Sequence, residues 1–252
     1  MAAHYDDYDY LAYWEGREYE NAAEEAAIEA LLDKIPKIKT ICEVGAGFGR
    51  LIHTYSFRAK NIIVSDPSGK LLSFARAKYA KRKNIKFVHS TLENLPQKIR
   101  PGSVDLLIMV RVLHHISDLA ACFKIMNTLV KDEGYLILEF ANKEHLKATL
   151  SEFMKGNVTF PLDISPKEVR SENSKAGKTL PFLNYHPDLV KEELEEAGFK
   201  SIFKLSVSNI RSPLVKRILS TNTLVSLEKN LQRPLSYINF GPSIFVLAKK
   251  TT

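Results

Sequence analysis

The sequence is poor in cysteine and contains no long apolar run. Only Cys42 and Cys122 occur in 252 residues, without metal-like spacing, so we expect reduced, buried thiols and no bound metal. The longest apolar stretches, such as residues 106–110, are far shorter than the roughly 20 residues of a membrane span. The acidic, tyrosine-rich start is unlike a signal peptide. We therefore expect a soluble, cytoplasmic protein.

Charge is unevenly distributed along the chain. The net charge is +7, yet residues 1–36 hold ten acidic and only two basic residues, so the positive surplus lies in the rest. Its densest run, residues 76–86, falls at the predicted end of a helix, where cations complement the helix dipole. A solvated helix end is favoured over a nucleic-acid surface, and we expect no specific nucleic-acid module.

Three alternating glycines follow the first apolar run. Residues 41–51 read Ile-Cys-Glu-Val-Gly-Ala-Gly-Phe-Gly-Arg-Leu, which predicts a strand leading into a nucleotide-binding turn, since glycine lets the backbone turn tightly and approach a ligand. Gly49 follows Gly47 by two positions, whereas the dinucleotide fingerprint has three. The spacing argues against a nicotinamide cofactor.

An acid ends the second apolar run, residues 61–66. Asp66 lies about 20 residues after Gly45, the distance at which an acid in a doubly wound fold accepts hydrogen bonds from ribose hydroxyls. Its charge would repel a 2′-phosphate. The pair of signals favours a nucleoside cofactor without that phosphate.

Five segments, taken in order, resemble the motifs of the class I S-adenosylmethionine-dependent methyltransferases. They are residues 43–50, 66–68, 90–96, 103–118 and 129–134. The resemblance extends along most of the chain and implies S-adenosyl-L-methionine as cofactor and a Rossmann-like α/β fold. One position departs from the family, because Thr91 stands where an acid is usual. The resemblance then leaves the backbone N–H of Leu92 to contact the adenine ring.

The order of elements agrees with that fold. Strands are expected near residues 39–44, 61–65, 85–89, 104–110, 134–140, 199–207 and 243–249, with helices over 22–34 and 186–198 among those between them. Alternating strands and helices imply a mostly parallel sheet with helices on both faces. By resemblance the sheet has seven strands, the last antiparallel. We expect a single domain over residues 1–252, in which a helical segment, residues 1–35, covers the cofactor.

The resemblance and the positions at strand ends assign the cofactor-binding residues. They are Arg17, Glu43, Gly45, Ala46, Gly47, Gly49, Asp66, Pro67, Thr91, Leu92, Val110 and Arg111. By resemblance, Glu43 serves the methionine end of the cofactor. For Arg17 two interpretations stand: a bidentate pair with the methionine carboxylate, or an ordinary pair with neighbouring acids.

Histidines are the candidate catalytic residues. Methyl transfer from a sulfonium is an in-line displacement that chiefly requires alignment, so a general base is optional. His115 follows the fourth strand and is predicted to face the acceptor. His186 is the second candidate, although it also resembles a helix start. His114 is expected to be a packed or surface residue.

Two insertions exceed the minimal fold, residues 145–185 and 209–240, and both are expected to shape the substrate site. The polar middle of the first, residues 171–178, is expected to be mobile. The second carries apolar residues at helical spacing: Leu214, Val215, Ile218, Leu219, Leu224, Val225, Leu227 and Leu231. Three interpretations are open for it: a lid over the acceptor, a peripheral membrane contact, or a dimer contact. The lid is favoured, and the oligomeric state is not predicted.

The sequence therefore predicts an S-adenosylmethionine-dependent methyltransferase acting on a small-molecule acceptor. A methyltransferase for tRNA or protein is the alternative enzyme, although the Asn/Asp-Pro-Pro-aromatic tetrapeptide of amino-methylating nucleic-acid enzymes is absent from the sequence. A non-catalytic, cofactor-binding regulatory protein is the alternative outside enzymes.

Overall fold

A computed structural model describes residues 12–171 and 180–251. Its strands are β1 (Thr40–Val44), β2 (Asn61–Asp66), β3 (Ile85–His89), β4 (Val104–Met109), β5 (Val130–Ala141), β6 (Lys167–Glu168), β7 (Leu183–Asn184), β8 (Phe199–Val207) and β9 (Ser243–Lys250). Seven of them form one sheet in the order β3-β2-β1-β4-β5-β9-β8, and β6 pairs with β7 in a short ribbon. The first five strands are parallel, whereas β9 runs antiparallel to β5 and β8. The predicted seven-stranded fold is confirmed.

Helices flank the sheet. They are α1 (Glu18–Leu32), α2 (Ile52–Tyr55), α3 (Gly69–Lys78), α4 (Leu119–Leu129), α5 (Leu146–Met154), α6 (Pro187–Glu196), α7 (Pro213–Ile218) and α8 (Thr221–Ser236). Several begin at a polar side chain that accepts a hydrogen bond from a backbone N–H of the first turn, as Ser68, Asp118 and Ser220 do. Such caps satisfy donors that the helix itself leaves unpaired.

The sheet separates two apolar cores. Neighbouring residues of β4 point to opposite faces, so Leu107 packs with Phe123 of α4 and Leu194 of α6, while Ile108 packs in the core that contains Leu31 of α1. Both β4 residues are fully buried. A strand covered on both faces reads as a continuous apolar run, which is how residues 106–110 appear in the sequence.

Two segments differ from expectation. Helix α1 spans Glu18–Leu32 instead of residues 22–34, because Tyr19 already packs in the core at 4 % exposure. The first insertion is not a plain loop, since it contains α5 and the ribbon of β6 and β7. Its polar middle lies almost wholly outside the described residues.

The second insertion forms α7 and α8, and its apolar residues do not share one buried face. The two helices are separated at Leu219 and Ser220, so residues before and after the break point in different directions. Leu214 is 68 % exposed and Ile218 78 %, whereas Leu224 is 2 % exposed. The lid, membrane and dimer interpretations stay predictions.

Polar side chains occupy most of the buried face of α8. Glu228 accepts hydrogen bonds from the Tyr19 hydroxyl (2.6 Å) and from the backbone N–H and side-chain amide of Asn209. Gln232 donates to the carbonyl of Ala23 (2.8 Å), and the N–H of Ile210 donates to the Tyr19 hydroxyl (3.0 Å). These bonds satisfy the buried groups and join α1, α8 and the end of β8.

Candidate functional site

A cavity of about 450 Å³ lies at the carboxyl ends of β1 to β4. This is the edge where open α/β sheets bind ligands, near the point at which the strand order reverses. Its walls are mostly apolar and include Leu92, Val112, Ile116, Ala121, Ile125 and Leu180. A smaller cavity of about 70 Å³ adjoins it between the glycine turn, Asp66 and Arg111.

The glycine turn forms the floor of both cavities. Gly45, Gly47 and Gly49 have positive φ angles of 72°, 55° and 75°, which other residues adopt at a cost. A Cβ on Gly45 would lie 2.1 Å from Val112 Cγ2, so this position leaves no room for a side chain. Gly49 instead permits close packing against Ile52 and α3.

Asp66 stands beside the turn, as predicted. Its carboxylate accepts hydrogen bonds from the backbone N–H groups of Gly47 (2.6 Å) and Ser68 (2.7 Å). It lines the smaller cavity together with Pro67. Each carboxylate oxygen has more than one lone pair, so the group is suited to accept further bonds from ribose hydroxyls.

The remaining predicted cofactor residues divide into two groups. Thr91 and Leu92 line the first cavity, and within the described chain no acceptor is recorded for the backbone N–H of Leu92. Ala46 and Val110 are packed in the core instead, and neither is among the residues that line the cavities. The orphan donor and the glycine turn fit the adenine and ribose ends of an adenosyl cofactor.

Glu43 does not line these cavities. It is 3 % exposed and accepts a hydrogen bond from the Tyr55 hydroxyl (2.5 Å). Burial raises the pKa of Glu43 to about 7, against the opposing effect of the Tyr55 hydrogen bond. Its observed contact is with Tyr55 of α2. The assignment of Glu43 to the cofactor stays a prediction.

A second cavity, of about 330 Å³, lies beyond the end of β5. Its walls come from separate segments of the chain: the residues before α1, the turn after β4, the end of β5, the ribbon, and the ends of β8 and β9. Polar and charged residues predominate, including Glu20, Glu24, Arg111, Glu139, His145 and Arg211. Arg111 lines this cavity and also the small one beside Asp66.

Arg111 is held in an unusual backbone conformation. Its φ is 59°, and its backbone N–H donates to Glu139 (2.7 Å). The guanidinium donates to Glu24 (3.2 Å) and to the Tyr13 hydroxyl (2.6 Å). Hydrogen bonds to buried carboxylates thus hold a strained residue at the boundary between the cavities.

Arg17 lines the second cavity with Tyr13 and Trp14. Its guanidinium lies 4.3 Å from the centre of the Tyr13 ring. Among the residues that the structure describes, no carboxylate pairs with it. The ordinary ion pair considered from the sequence is therefore not found there, and the methionine-carboxylate interpretation stays a proposal.

His115 lines both the first and the small cavity. Its Nδ1 lies 2.7 Å from the carbonyl oxygen of Pro181, and because a carbonyl can only accept, Nδ1 carries the proton and Nε2 has the lone pair. Burial lowers the pKa of His115. His114 is buried and stacked on Phe182, as a packed residue would be, yet it lines the second cavity.

His186 lies apart from these three cavities. It is 2 % exposed, its Nδ1 accepts from the backbone N–H of Asp188 at the start of α6, and its Nε2 lies 3.0 Å from the carbonyl of Pro161. Glu144 is 3.2 Å from the same nitrogen. The helix-start interpretation accounts for these contacts, and the catalytic assignment of His186 stays a prediction.

Two residues of the second cavity were missed in the sequence. Glu139 lies two residues before the end of β5, whereas Asp66 is the last residue of β2, so a search for an acid at the last position of a strand finds Asp66 and not Glu139. Burial raises the pKa of Glu139, and Ser243 donates to it (2.6 Å). His145 caps α5 through a bond from the backbone N–H of Ala148, and its position gave no comparable signal.

Known proteins resemble the chain in the region of the first cavity and in the whole fold. A family model described as a methyltransferase domain matches residues 42–138. The ubiquinone biosynthesis O-methyltransferase of Acinetobacter baylyi is 27 % identical over 163 residues, which are 59 % of this chain and 68 % of that protein. Residues 42–138, which the family model matches, include the glycine turn, Asp66 and Arg111.

Solved structures share the fold at lower identity. A SAM-dependent methyltransferase from Thermotoga maritima superposes with a TM-score of 0.63 at 17 % identity, covering 96 % of this chain and 95 % of its own. Magnesium protoporphyrin IX methyltransferase from Synechocystis, solved with bound SAH, gives 0.56 at 18 % identity, covering 92 % and 83 %. The motifs, the sheet order and the family match agree, and together they support a class I S-adenosylmethionine-dependent methyltransferase, as the sequence predicted.

Proposed function

We propose that the chain binds the adenosyl part of S-adenosyl-L-methionine in the first and small cavities, with the methionine end reaching Arg17 at the wall of the second, and that it methylates a small molecule in the second cavity. The observation that carries the proposal is the position of Arg111, which forms part of the wall of the small cavity and of the second one. A methyl group has to pass directly from donor to acceptor, so the acceptor site must begin where the donor site ends.

The donor residues have distinct roles in this proposal. Asp66 accepts hydrogen bonds from the ribose hydroxyls, and the Leu92 N–H donates to the adenine ring. The glycine turn lets the cofactor approach the backbone closely, and Arg17 pairs with the methionine carboxylate. When bound, the cofactor supplies a methyl group on a positively charged sulfur, which an acceptor lone pair displaces in line.

His115 is the candidate base. Its lowered pKa keeps the imidazole neutral near pH 7, and the bond from Nδ1 to Pro181 leaves the basic lone pair on Nε2. His115 lines the small cavity beside Arg111, at the boundary with the second cavity, so its neutral imidazole is suited to accept a proton from an acceptor hydroxyl or amine that reaches this boundary. The second cavity contributes orientation and exclusion of water.

A small acceptor is favoured over a macromolecule. The second cavity is flanked by Tyr13 and Trp14 on one side and by Phe182 and Asn184 of the ribbon on another. A volume of about 330 Å³ lies within the range of small-molecule sites, roughly 300–1,000 Å³. The Acinetobacter relative also favours a small acceptor, because it is named for ubiquinone biosynthesis.

Binding and turnover test the proposal separately. Calorimetry is expected to show binding of S-adenosylhomocysteine and no response to NAD. Asp66→Ala should weaken S-adenosylhomocysteine by about 1.5–3 kcal/mol, the value of hydrogen bonds to a charged group. Preference for NAD, or unchanged affinity in a folded Asp66→Ala protein, would contradict the cofactor assignment.

Turnover identifies the acceptor class. With methyl-labelled donor and fractionated cell extract, label should enter a small-molecule fraction. Label found only in protein or RNA would favour the alternative enzyme. Binding of the donor without label transfer to either fraction would favour a regulatory protein.

A further inference from the structure

Cations outnumber carboxylates around the second cavity once the ion-pair partners outside its lining are counted. Glu20, Glu24 and Glu139 line it, and each already has a partner: Lys216 bonds Glu20, Arg50 and Arg111 bond Glu24, and the Arg111 backbone and Ser243 bond Glu139. Two of these partners, Lys216 and Arg50, are not among the lining residues. The carboxylates of the cavity are thus neutralised by groups that include cations from outside it.

Two arginines that line the cavity have no such partner. For Arg17 and Arg211, no ion pair or side-chain hydrogen bond is recorded to any residue within 12–171 or 180–251. The donor carries one carboxylate, and in the proposed function it pairs with Arg17. Arg211 is then a cation at the cavity wall for which the donor offers no second anion.

The backbone before Arg211 is fixed. Asn209 bonds Glu228 through its backbone and side chain, and Ile210 donates to Tyr19. The backbone of Arg211 therefore follows directly after a buried hydrogen-bond network, which fixes its position. The residue itself is exposed. A guanidinium on an ordered backbone loses less conformational freedom when it binds a carboxylate.

His145 supplies a neutral donor on the same wall. The Ala148 N–H donates to Nδ1, which places the proton of the neutral ring on Nε2. Burial, together with the nearby charges of Arg211, Lys147 and Lys167, lowers the pKa of His145 to about 4. The ring therefore donates a hydrogen bond without adding a charge near pH 7.

We infer that the methyl acceptor is a small molecule bearing a carboxylate, which Arg211 binds with His145 at the wall of the second cavity. The aromatic residues Tyr13, Trp14 and Phe182 in the same lining suit a flat apolar body. The inference rests on the proposed function, because it takes the first cavity as the donor site.

The probe pair is 4-fluorobenzoate and 4-fluorobenzamide, which have nearly the same shape and differ in charge. Fluorine NMR titrations are made on protein saturated with S-adenosylhomocysteine. Wild type is expected to bind the benzoate about tenfold more tightly than the benzamide, as a charge-assisted bidentate pair requires. Arg211→Met should lose this preference, and Arg211→Lys should retain part of it.

Arg217→Met is the matched control, since Arg217 is an exposed arginine of α7 outside the cavity lining, and it should keep the full preference. Equal binding of the two probes to wild type, no detectable benzoate binding, or a preference that survives Arg211→Met would each overturn the inference. So would an Arg211→Met protein that binds S-adenosylhomocysteine more weakly but 5′-methylthioadenosine normally, because Arg211 would then hold the donor carboxylate. A wild type that fails to bind S-adenosylhomocysteine at all would instead refute the proposed function.

Discussion

The first and second cavities, both at the carboxyl edge of the sheet, differ in what forms their walls. The first consists of turns that directly follow β1 to β4, with a glycine backbone, one strand-end acid and apolar walls. The second consists of charged side chains brought together from distant segments, such as Glu24 and Arg111, which are 87 positions apart.

The difference separates what is common to a family from what is particular to one chain. A site made of backbone turns accepts any molecule that has the same adenosyl end. A site made of side chains changes its preference with single substitutions, because side chains carry the charge and the hydrogen-bond pattern. We therefore expect substitutions to affect one cavity with little effect on the other.

The largest effect is expected in the glycine turn. Gly45→Ala combines positive-φ strain of about 1–2 kcal/mol with overpacking against Val112 of about 1–3 kcal/mol, so S-adenosylhomocysteine affinity should fall about 100-fold by calorimetry. Gly102→Ala is the control, because Gly102 has φ 62° and nothing within 4 Å of an added Cβ. It should lose some stability and no affinity. Equal affinity in folded Gly45→Ala and wild type would show that the turn is not the floor of the donor site.

The free energy of unfolding is expected to depend on pH through Glu43 and through His145, with opposite signs. Glu43 has a pKa raised from 4.5 to about 7, so between these values the folded state holds a proton that the unfolded state has lost. Its contribution to the free energy of unfolding is complete below pH 4.5 and is lost as the pH rises, by roughly 3 kcal/mol in total. Glu43→Gln should remove this decline in urea titrations at several pH values.

His145 should show the reverse slope. Its pKa is lowered from 6.5 to about 4, so in that range the unfolded state binds more protons and stability rises with pH. His145→Gln should remove this rise, with a smaller amplitude because the ring is partly exposed. Two variants that changed the pH dependence in the same direction would contradict the assigned environments.

The smallest effect is expected for Arg17→Met. An exposed ion pair contributes about 0.2–1 kcal/mol, so S-adenosylhomocysteine affinity should fall severalfold at most, while 5′-methylthioadenosine, which lacks the amino acid, should bind unchanged. Equal weakening of both ligands would place Arg17 away from the methionine end. A point substitution is preferable to removing residues 1–20, because that deletion would also remove the buried Tyr19.

The sequence predicted the sheet and the position of Asp66 beside the glycine turn, because both depend on local patterns. Gly45 and Asp66 are recognised by their position after an apolar run, and the strand itself brings them together. For Glu43 the sequence pattern is not sufficient. Neighbouring residues on a strand point to opposite faces of the sheet, and the pattern does not say which face meets a ligand.

The second cavity could not be predicted in the same way. The residue at 111 adopts a left-handed backbone without being glycine, and no local signal marks it. The polar face of α8 is explained only by Tyr19, which lies 209 positions from Glu228. Apolar spacing alone therefore does not show that Leu224 is buried and Ile218 exposed.

The antiparallel insertion of β9 between β5 and β8 has a consequence for the order in which the chain is completed. Residues 42–138 contain the donor turns and leave the ribosome early, but the free edge of β5 meets its partner only when residues 243–250 have been made. At about 5–20 residues per second, that edge stays unpaired for roughly 5–20 seconds. Unpaired edge strands invite pairing with other chains, so the nascent protein passes through an aggregation-prone stage that ends when its last strand closes the sheet.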